Sequence, residues 1–289
     1  MKKTDLAGAV FCCVLWGVLP IYWNLLAAVD SLLILCCRIV FSLVLMTILL
    51  ACLGRFRLFG ETLRSGRLMK FLVPASLLIT LNWGLYIWAV NAGHVLDCSL
   101  GYYMQPLAVF LFGVLLFKER CSRLQIAALA LAAVGVLVSV VAFGSFPYIA
   151  LGLAVSFALY GTMKKTAHAD PIASICVETL LITPFAVAFA LIFKGDGLAR
   201  LTFGQVLLLI GTGLATGIPM VLYSRSVNNL PFIVVGFLQY ISPTIGLVYG
   251  LLRGEEMTKA RLASFIFILI GLIVFSVDMV KKTRAEKPA

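Results

Sequence analysis

Long apolar segments, separated by short polar connections, run through the whole of this sequence. Each segment is close to the ~20 residues that an α-helix needs to cross the ~30 Å hydrocarbon core of a membrane. Barrel strands are excluded because they alternate in polarity over about 10 residues. The pattern predicts ten transmembrane helices, at residues 6–26, 32–53, 70–91, 99–117, 124–143, 147–163, 172–193, 204–224, 232–252 and 261–280.

An internal repeat accompanies these segments. Residues 81–119 and 218–256 are weak copies of each other, offset by 137 residues without a gap. Matching positions carry the same residue types, including a proline and a terminal glutamate, in the same order. The first copy has Leu85, Tyr86, Val90, Asn91, Tyr103, Pro106, Gly113, Leu115 and Glu119, and the second has Leu222, Tyr223, Val227, Asn228, Tyr240, Pro243, Gly250, Leu252 and Glu256.

The length of the offset gives the repeat a direction. It spans five predicted helices, and because five is odd, the second half must enter the membrane upside down relative to the first. Such inverted repeats are typical of secondary transporters, with the substrate site near the midplane between the halves. We therefore predict an all-α integral membrane fold with repeats at 1–143 and 144–280, followed by a basic tail at 281–289.

Composition and charge agree with this class. The chain is 62% hydrophobic and 12% charged, so most of its surface must face lipid rather than water. Its net charge of +11 lies mainly in the connections between apolar segments, which indicates membrane topology rather than nucleic-acid binding. With both termini in the cytoplasm, most Lys and Arg residues fall on the inner side, and the outer side holds Lys194, Arg200, Arg253, Lys259 and Arg261.

Signals for enzymatic chemistry are missing from the sequence. The eight cysteines form no CxxC pair, and no zinc-binding, nucleophile-elbow or phosphate-loop motif is present. We therefore predict no enzyme activity, no metal and no cofactor. Without a nucleotide site, any concentrating transport would have to use an ion gradient, and proton coupling is one candidate.

Two charges lie well inside predicted helices, away from the helix-end positions of Lys70, Arg261 and Asp278, and there a charge is costly and usually functional. They are Arg38 in helix 2 and Glu178 in helix 7, and the repeat offset places Glu178 about one helical turn from the position equivalent to Arg38. The two could neutralise each other or share an anionic or zwitterionic substrate. Alternatively, both could lie near helix ends and extend to the interface.

Polar and aromatic residues in other helices are candidates for a substrate cavity. Prolines within two of these helices are expected to break them, because proline removes a backbone donor and leaves a gap that polar neighbours can line. Part of the aromatic set could instead form the interfacial belt that is common in membrane proteins. The cavity candidates are Trp16, Asn82, Tyr86, Tyr103, Gln105, Gln239 and Tyr240, and the expected helix breaks are Pro106 and Pro243.

Several strings resemble one transporter family. They are LWGVLPIYW (15–23), LNWGLYIWAVN (81–91), SLGYYMQPL (99–107), VETL (177–180) and GFLQYISPT (236–244). They are similar to the RarD proteins of the EamA branch of the drug/metabolite transporter superfamily, over nearly the whole chain. The resemblance implies a bacterial inner-membrane permease with ten helices.

Together these features predict a multi-pass permease of the bacterial inner membrane with both termini cytoplasmic. We expect it to move a small organic metabolite or drug-like solute by alternating access, in the direction of export. The alternative from another class is a non-transporting membrane receptor or assembly partner that uses the same pocket.

Overall fold

The computed structural model describes residues 2–252 and 258–285, and these residues form helices and no strands. This confirms the all-α prediction. Arg253, Glu256 and Lys287, which enter the charge count or the repeat, lie outside the described residues, as does part of the 281–289 tail. The helices are α1 Lys3–Leu25, α2 Ser31–Cys52, α3 Phe56–Arg64, α4 Gly66–Asn91, α5 Val95–Leu115, α6 Arg123–Phe143, α7 Tyr148–Ala167, α8 Pro171–Phe193, α9 Gly195–Ala199, α10 Phe203–Asn229, α11 Phe232–Leu238, α12 Ile241–Leu252 and α13 Lys259–Ala285.

Each apolar segment of the sequence corresponds to helix, and two short helices, α3 and α9, were not predicted. Among the described residues, nine spans are long and apolar enough to cross a membrane, with Phe232–Leu252 counted as one span. The segment predicted at 147–163 is the helix α7, which is outside that set and extends through two lysines, Lys164 and Lys165. The count of ten membrane crossings therefore stays a prediction.

Polar residues at the ends of the apolar segments fix where the helices begin. The Asp30 side chain accepts from the backbone N–H groups of Leu32 and Leu33 at the start of α2. Asp170 does the same for α8, and Ser122 and Thr202 form capping boxes at α6 and α10. These caps satisfy backbone donors that a helix leaves without partners in its first turn.

Helices of the two predicted halves pack directly against each other. α2 lies between α8 and α10, and α7 lies against α4 and α5. α6 packs along α13 at backbone distance, where a Cβ added to Gly135 would be 2.8 Å from the Ser264 carbonyl oxygen. The hydroxyl groups of Ser139 and Ser264 are 2.6 Å apart in the same contact. Small residues allow this close approach, as is usual in membrane helix pairs.

Ion pairs connect the halves at one end of the bundle. Arg225 donates to Asp5 at 2.9 Å, and Arg55 lies 3.4 Å from Asp170. At the same end, Glu119 accepts from the backbone N–H groups of Phe232 and Ile233, at 2.7 and 2.9 Å. All these residues lie at helix ends that the predicted topology assigns to the cytoplasmic side.

The opposite end has fewer links of this kind among the described residues. Lys194 donates to Asp30 at 2.8 Å, and Asn24 donates to the Tyr249 hydroxyl at 3.0 Å. The predicted topology assigns these positions to the outer side.

Candidate functional site

A small cavity with a free volume of about 20 Å³, here called the central cavity, lies between four helices of the bundle. That is room for about one water molecule, so an organic solute would require the cavity to widen. Two helices from each predicted half form its wall, α2 and α4 from the first and α8 and α10 from the second. Most of the wall is apolar, and the polar or aromatic side chains on it are Ser42, Thr80, Trp83, Glu178, Thr179 and Thr216.

Glu178 brings a carboxylate to this wall from the second turn of α8. Lys164 Nζ lies 2.5 Å from Glu178 Oε1, and the Tyr160 hydroxyl donates to Oε2 at 3.1 Å. Lys164 also donates to the Ser174 hydroxyl at 2.7 Å. The Lys164 and Glu178 side chains are 1% and 3% exposed, so this is a buried ion pair, and each charged group has one further hydrogen-bond partner.

Sequence reasoning missed Lys164 because it ended the predicted helix at residue 163 and assigned the lysine to a loop. A signal was present nonetheless. Tyr160 and Lys164 are four residues apart, so they share one face of a helix that continues past 163. That face meets α8 at Glu178.

Arg38 is not paired with Glu178, so the interpretation that these two charges neutralise each other is wrong. Arg38 Nε donates to the Thr216 hydroxyl at 3.1 Å. Its guanidinium carbon is 4.1 Å from the centre of the Trp83 ring and 5.2 Å from that of Trp23. The physical reason is that equivalent positions of an inverted repeat lie toward opposite ends of the bundle. Arg38 is in the second turn of α2 and Glu178 in the second turn of α8, and the predicted topology runs these two helices in opposite directions. Lys164, near the end of α7, lies at the same end as Glu178 and pairs with it.

The predicted cavity residues of α4 and α1 lie beside the cavity in helix contacts. Asn82 Nδ2 donates to the Leu153 carbonyl at 2.8 Å and to the Ser156 hydroxyl at 2.9 Å, which joins α4 to α7. Tyr86 packs against Tyr102, with ring centroids 5.7 Å apart. Trp16 packs against two other rings, Phe157 at 5.7 Å and Tyr223 at 5.4 Å.

The predicted residues near the two prolines meet where α5 crosses α11. Gln105 Nε2 donates to Gln239 Oε1 at 3.1 Å, so the two amides connect the halves directly. Tyr240 is fully buried, and its ring lies 5.6 Å from that of Phe237. Tyr103 is half-buried in the same apolar cluster. The wall of the central cavity is formed by other helices, α2, α4, α8 and α10, so these residues do not line it.

The two prolines differ from the prediction that both break their helices. α5 runs through Pro106 from Val95 to Leu115, so a break at that position is wrong. Neighbouring helices can support the backbone groups that a proline leaves free in a membrane helix, and α11 approaches closely here, with Gly236 against the Pro106 carbonyl. Pro243 lies in the first turn of α12, after the interruption between α11 and α12, where its missing donor removes no helix bond.

Comparisons with known proteins agree with this architecture. The EamA-like transporter family matches the chain twice, at residues 5–141 and 147–277. The uncharacterized transporter YojE of Bacillus subtilis is 41% identical, covering 95% of this chain and 94% of its own length. An uncharacterized transporter of Vibrio cholerae serotype O1 is 37% identical over 99% of this chain and 96% of its own. Protein RarD of Escherichia coli K12 is 32% identical over 93% of both chains.

A crystal structure with 15% sequence identity is similar in fold, with a TM-score of 0.73 over 99% of this chain and 100% of its own. At that identity the likeness shows the fold alone. The family match and the relatives extend over nearly the whole chain, and they show the class of the protein as well as its fold. The chain belongs to the EamA-like transporter family and is a multi-pass membrane transporter.

Proposed function

We propose that this protein is a secondary transporter that exports a small organic metabolite or drug-like solute across the bacterial inner membrane by alternating access. The observation that carries the proposal is the central cavity, which two helices from each half enclose at the level of a buried carboxylate. Sites of this kind, between repeats and near the membrane midplane, are where secondary transporters bind their substrates.

The contacts at the two ends of the bundle support alternating access. At the end assigned to the cytoplasm, four links between described residues join the halves: Arg225 to Asp5, Arg55 to Asp170, Lys165 to Glu119, and Glu119 to the start of α11. A solute that entered the cavity from that side would require these links to open. Because most of them are ion pairs with at least one partly exposed partner, they can break and re-form at modest cost.

Glu178 is the residue to which we assign proton coupling. It is the acidic side chain on the described cavity wall, and Lys164 is its built-in counter-charge. A proton on Glu178 would release Lys164, and removal of the proton would restore the pair. Proton binding would thus be connected to the link between the end of α7 and the start of α8, beside the wall of the site.

The test is a screen of solutes with the purified full-length chain in liposomes. Flux is measured with and without a proton gradient in which the vesicle interior is the acidic side. We expect flux of at least one organic solute that depends on the protein and is accelerated by the gradient. Liposomes with Glu61→Gln, which changes an exposed glutamate of α3, serve as a matched control for Glu178→Gln. Export is checked by comparing vesicles of both orientations. Saturable solute binding without flux in either orientation would contradict transport and support the receptor alternative.

A further inference from the structure

Arg38 is a membrane arginine whose terminal nitrogens have no acceptor among the described residues. Its Nε is fixed by Thr216, and none of the ion pairs between described residues includes it. The residue is half-buried rather than sealed. Arginine presents its N–H groups as a planar fork that fits a carboxylate with two parallel hydrogen bonds. An open fork of this kind inside a membrane protein is ready to receive an anion.

Aromatic rings surround the guanidinium. Trp83 and Trp23 lie at 4.1 and 5.2 Å from its central carbon, within the range of cation–π contacts. Tyr86 and Tyr102, with ring centroids 5.7 Å apart, lie within electrostatic range of it. Tyr102 and the two tryptophans all keep part of their surface exposed. A flat, unsaturated group that approaches Arg38 therefore meets ring faces on which it can stack.

Arg38 is not on the wall of the central cavity itself but contacts two residues that are. Both Trp83 and Thr216, which contact the guanidinium, are also on the cavity wall with Glu178. A solute seated between these two side chains would reach Arg38 at one end and the cavity interior at the other.

The charge balance of the site indicates the sign of the solute. The negative charge of Glu178 is already neutralised by Lys164 at 2.5 Å. The positive charge of Arg38 has no such partner and is left over. A charge in the membrane region is costly without compensation. One bound negative charge would make the site neutral. A cation would raise its net positive charge, and a doubly charged anion would leave it negative.

We propose that Arg38, held by Thr216 between Trp23 and Trp83, binds the anionic group of a singly charged, planar organic acid. This inference rests on the proposed function, because it names the substrate class of the same cavity. The guanidinium fork would take the carboxylate, the tryptophan faces would take the ring, and the central cavity would have to widen to take the remainder of the solute along its apolar wall.

The experiment measures quenching of tryptophan fluorescence in the purified full-length chain in nanodiscs. The probes are benzoate, its neutral isostere benzamide, the cation benzylammonium and the non-aromatic cyclohexanecarboxylate. Two of the four tryptophans of the chain contact Arg38, so occupancy of the site should change the signal. We expect benzoate to bind at least ten-fold more tightly than benzamide or benzylammonium, and several-fold more tightly than cyclohexanecarboxylate.

Variants connect that preference to the arginine. Arg38→Gln should remove the preference for benzoate over benzamide, and Arg38→Lys should keep the sign of the preference but weaken it, because lysine lacks the planar fork. Arg57→Gln, which alters an exposed arginine of α3, should leave all four affinities unchanged. Should Arg38→Gln fail to fold, the ratio of benzoate affinity to benzamide affinity in the unchanged chain and in Arg38→Lys still tests whether Arg38 binds the anion. Equal binding of benzoate and benzamide, or a preference that survives in Arg38→Gln, would overturn the proposal.

Flux measured in liposomes with the same probes separates this proposal from the broader one. Flux of benzamide or benzylammonium that equals benzoate flux, and that Arg38→Gln leaves intact, would overturn the anion site while transport stands. Selective benzoate binding that depends on Arg38, without flux of any probe in either orientation, would uphold the anion site and contradict transport.

Discussion

Lys164 and Glu178 form an ion pair at 2.5 Å between two side chains that are almost completely buried. Their helices, α7 and α8, are joined by a short turn, so the pair connects the end of one helix to the beginning of the next. A buried pair gains little net stability over an apolar pair of similar size, but the loss of one partner leaves an uncompensated charge. The ion pair therefore adds little to the free energy of unfolding, but breaking it is costly.

The first prediction concerns stability. Lys164→Met should lower the unfolding free energy by about 3–5 kcal/mol, because Glu178 is left buried without its counter-charge. The double variant Lys164→Met/Glu178→Leu should recover most of that loss. Thermal melts in one detergent would measure both, with the exposed Glu61→Gln as a control expected to stay within about 0.5 kcal/mol. A double variant no more stable than the single one would show that the pair is not the cause.

The second prediction concerns coupling. Glu178→Gln keeps the size and one hydrogen-bonding oxygen of the side chain but cannot exchange a proton near neutral pH. It should abolish flux driven by a proton gradient and spare counterflow exchange of solute at equal pH. Both are measured in the same proteoliposomes. A variant whose gradient-driven flux keeps the pH dependence of the unchanged chain would assign the carboxylate a structural role.

A third prediction separates two adjacent residues of α4. Asn82→Ala removes two hydrogen bonds to α7 and should cost on the order of 1 kcal/mol of stability for each bond, with solute affinity largely retained. Trp83→Leu changes a residue on the cavity wall and should weaken solute binding with a smaller effect on the melting temperature. Binding and melting are measured on both variants. The reverse pattern would place the site on the Asn82 face of the helix.

The fourth prediction concerns pH. Partial burial raises the pKa of Asp30, but the hydrogen bonds from Lys194 and from the backbone of Leu33 and Leu32 outweigh it, so the pKa lies below its ordinary value. The resulting stabilisation is present at neutral pH and is lost as pH falls through the lowered folded-state pKa. Asp30→Asn keeps a helix cap but loses the charge. Its deficit in melting temperature should be visible at neutral pH and should shrink as the pH falls below the ordinary range of a carboxyl group. A deficit independent of pH would exclude the ion pair as its source.

The fifth prediction concerns orientation. Gly66 and Gly195 both have open space where a side chain would be added, and the topology assigns them to opposite sides of the membrane. In a background with the exposed Cys52 changed to Ser, a membrane-impermeant maleimide should label Gly195→Cys in intact cells. Gly66→Cys, in the arginine-rich 54–69 connection, should react only after permeabilisation. Labelling of Gly66→Cys from outside would reject the cytoplasmic placement of the termini.

Apolar runs predicted the helices well because membrane burial and helix length are properties of local sequence. The run at 32–53, for example, became α2 at Ser31–Cys52, with Asp30 as its cap. Side-chain partners were harder to predict because they depend on which helix faces meet. A lysine at the end of an apolar run resembles a loop residue in sequence. Only in the folded chain, where α7 continues to Ala167 and its end meets the start of α8, does Lys164 reach Glu178.

The interruption near residue 240 shows the same limit. Proline marks a position where a backbone donor is missing, but the neighbouring helices decide whether the helix ends there. α5 continues through Pro106 where α11 lies close against it, whereas α11 ends before Pro243 is reached.

The contact between α6 and α13 sets a mechanical condition on any motion of the halves. Gly135 and Ser264 lie at backbone distance, and the Ser139 hydroxyl meets that of Ser264, so the last helix of each half is fastened to the other along its length. Neither helix lines the central cavity. We therefore expect the two halves to rotate about the contact between α6 and α13 when the cavity opens. The distance between Ser139 and Ser264 should then be the same in every state of the transport cycle.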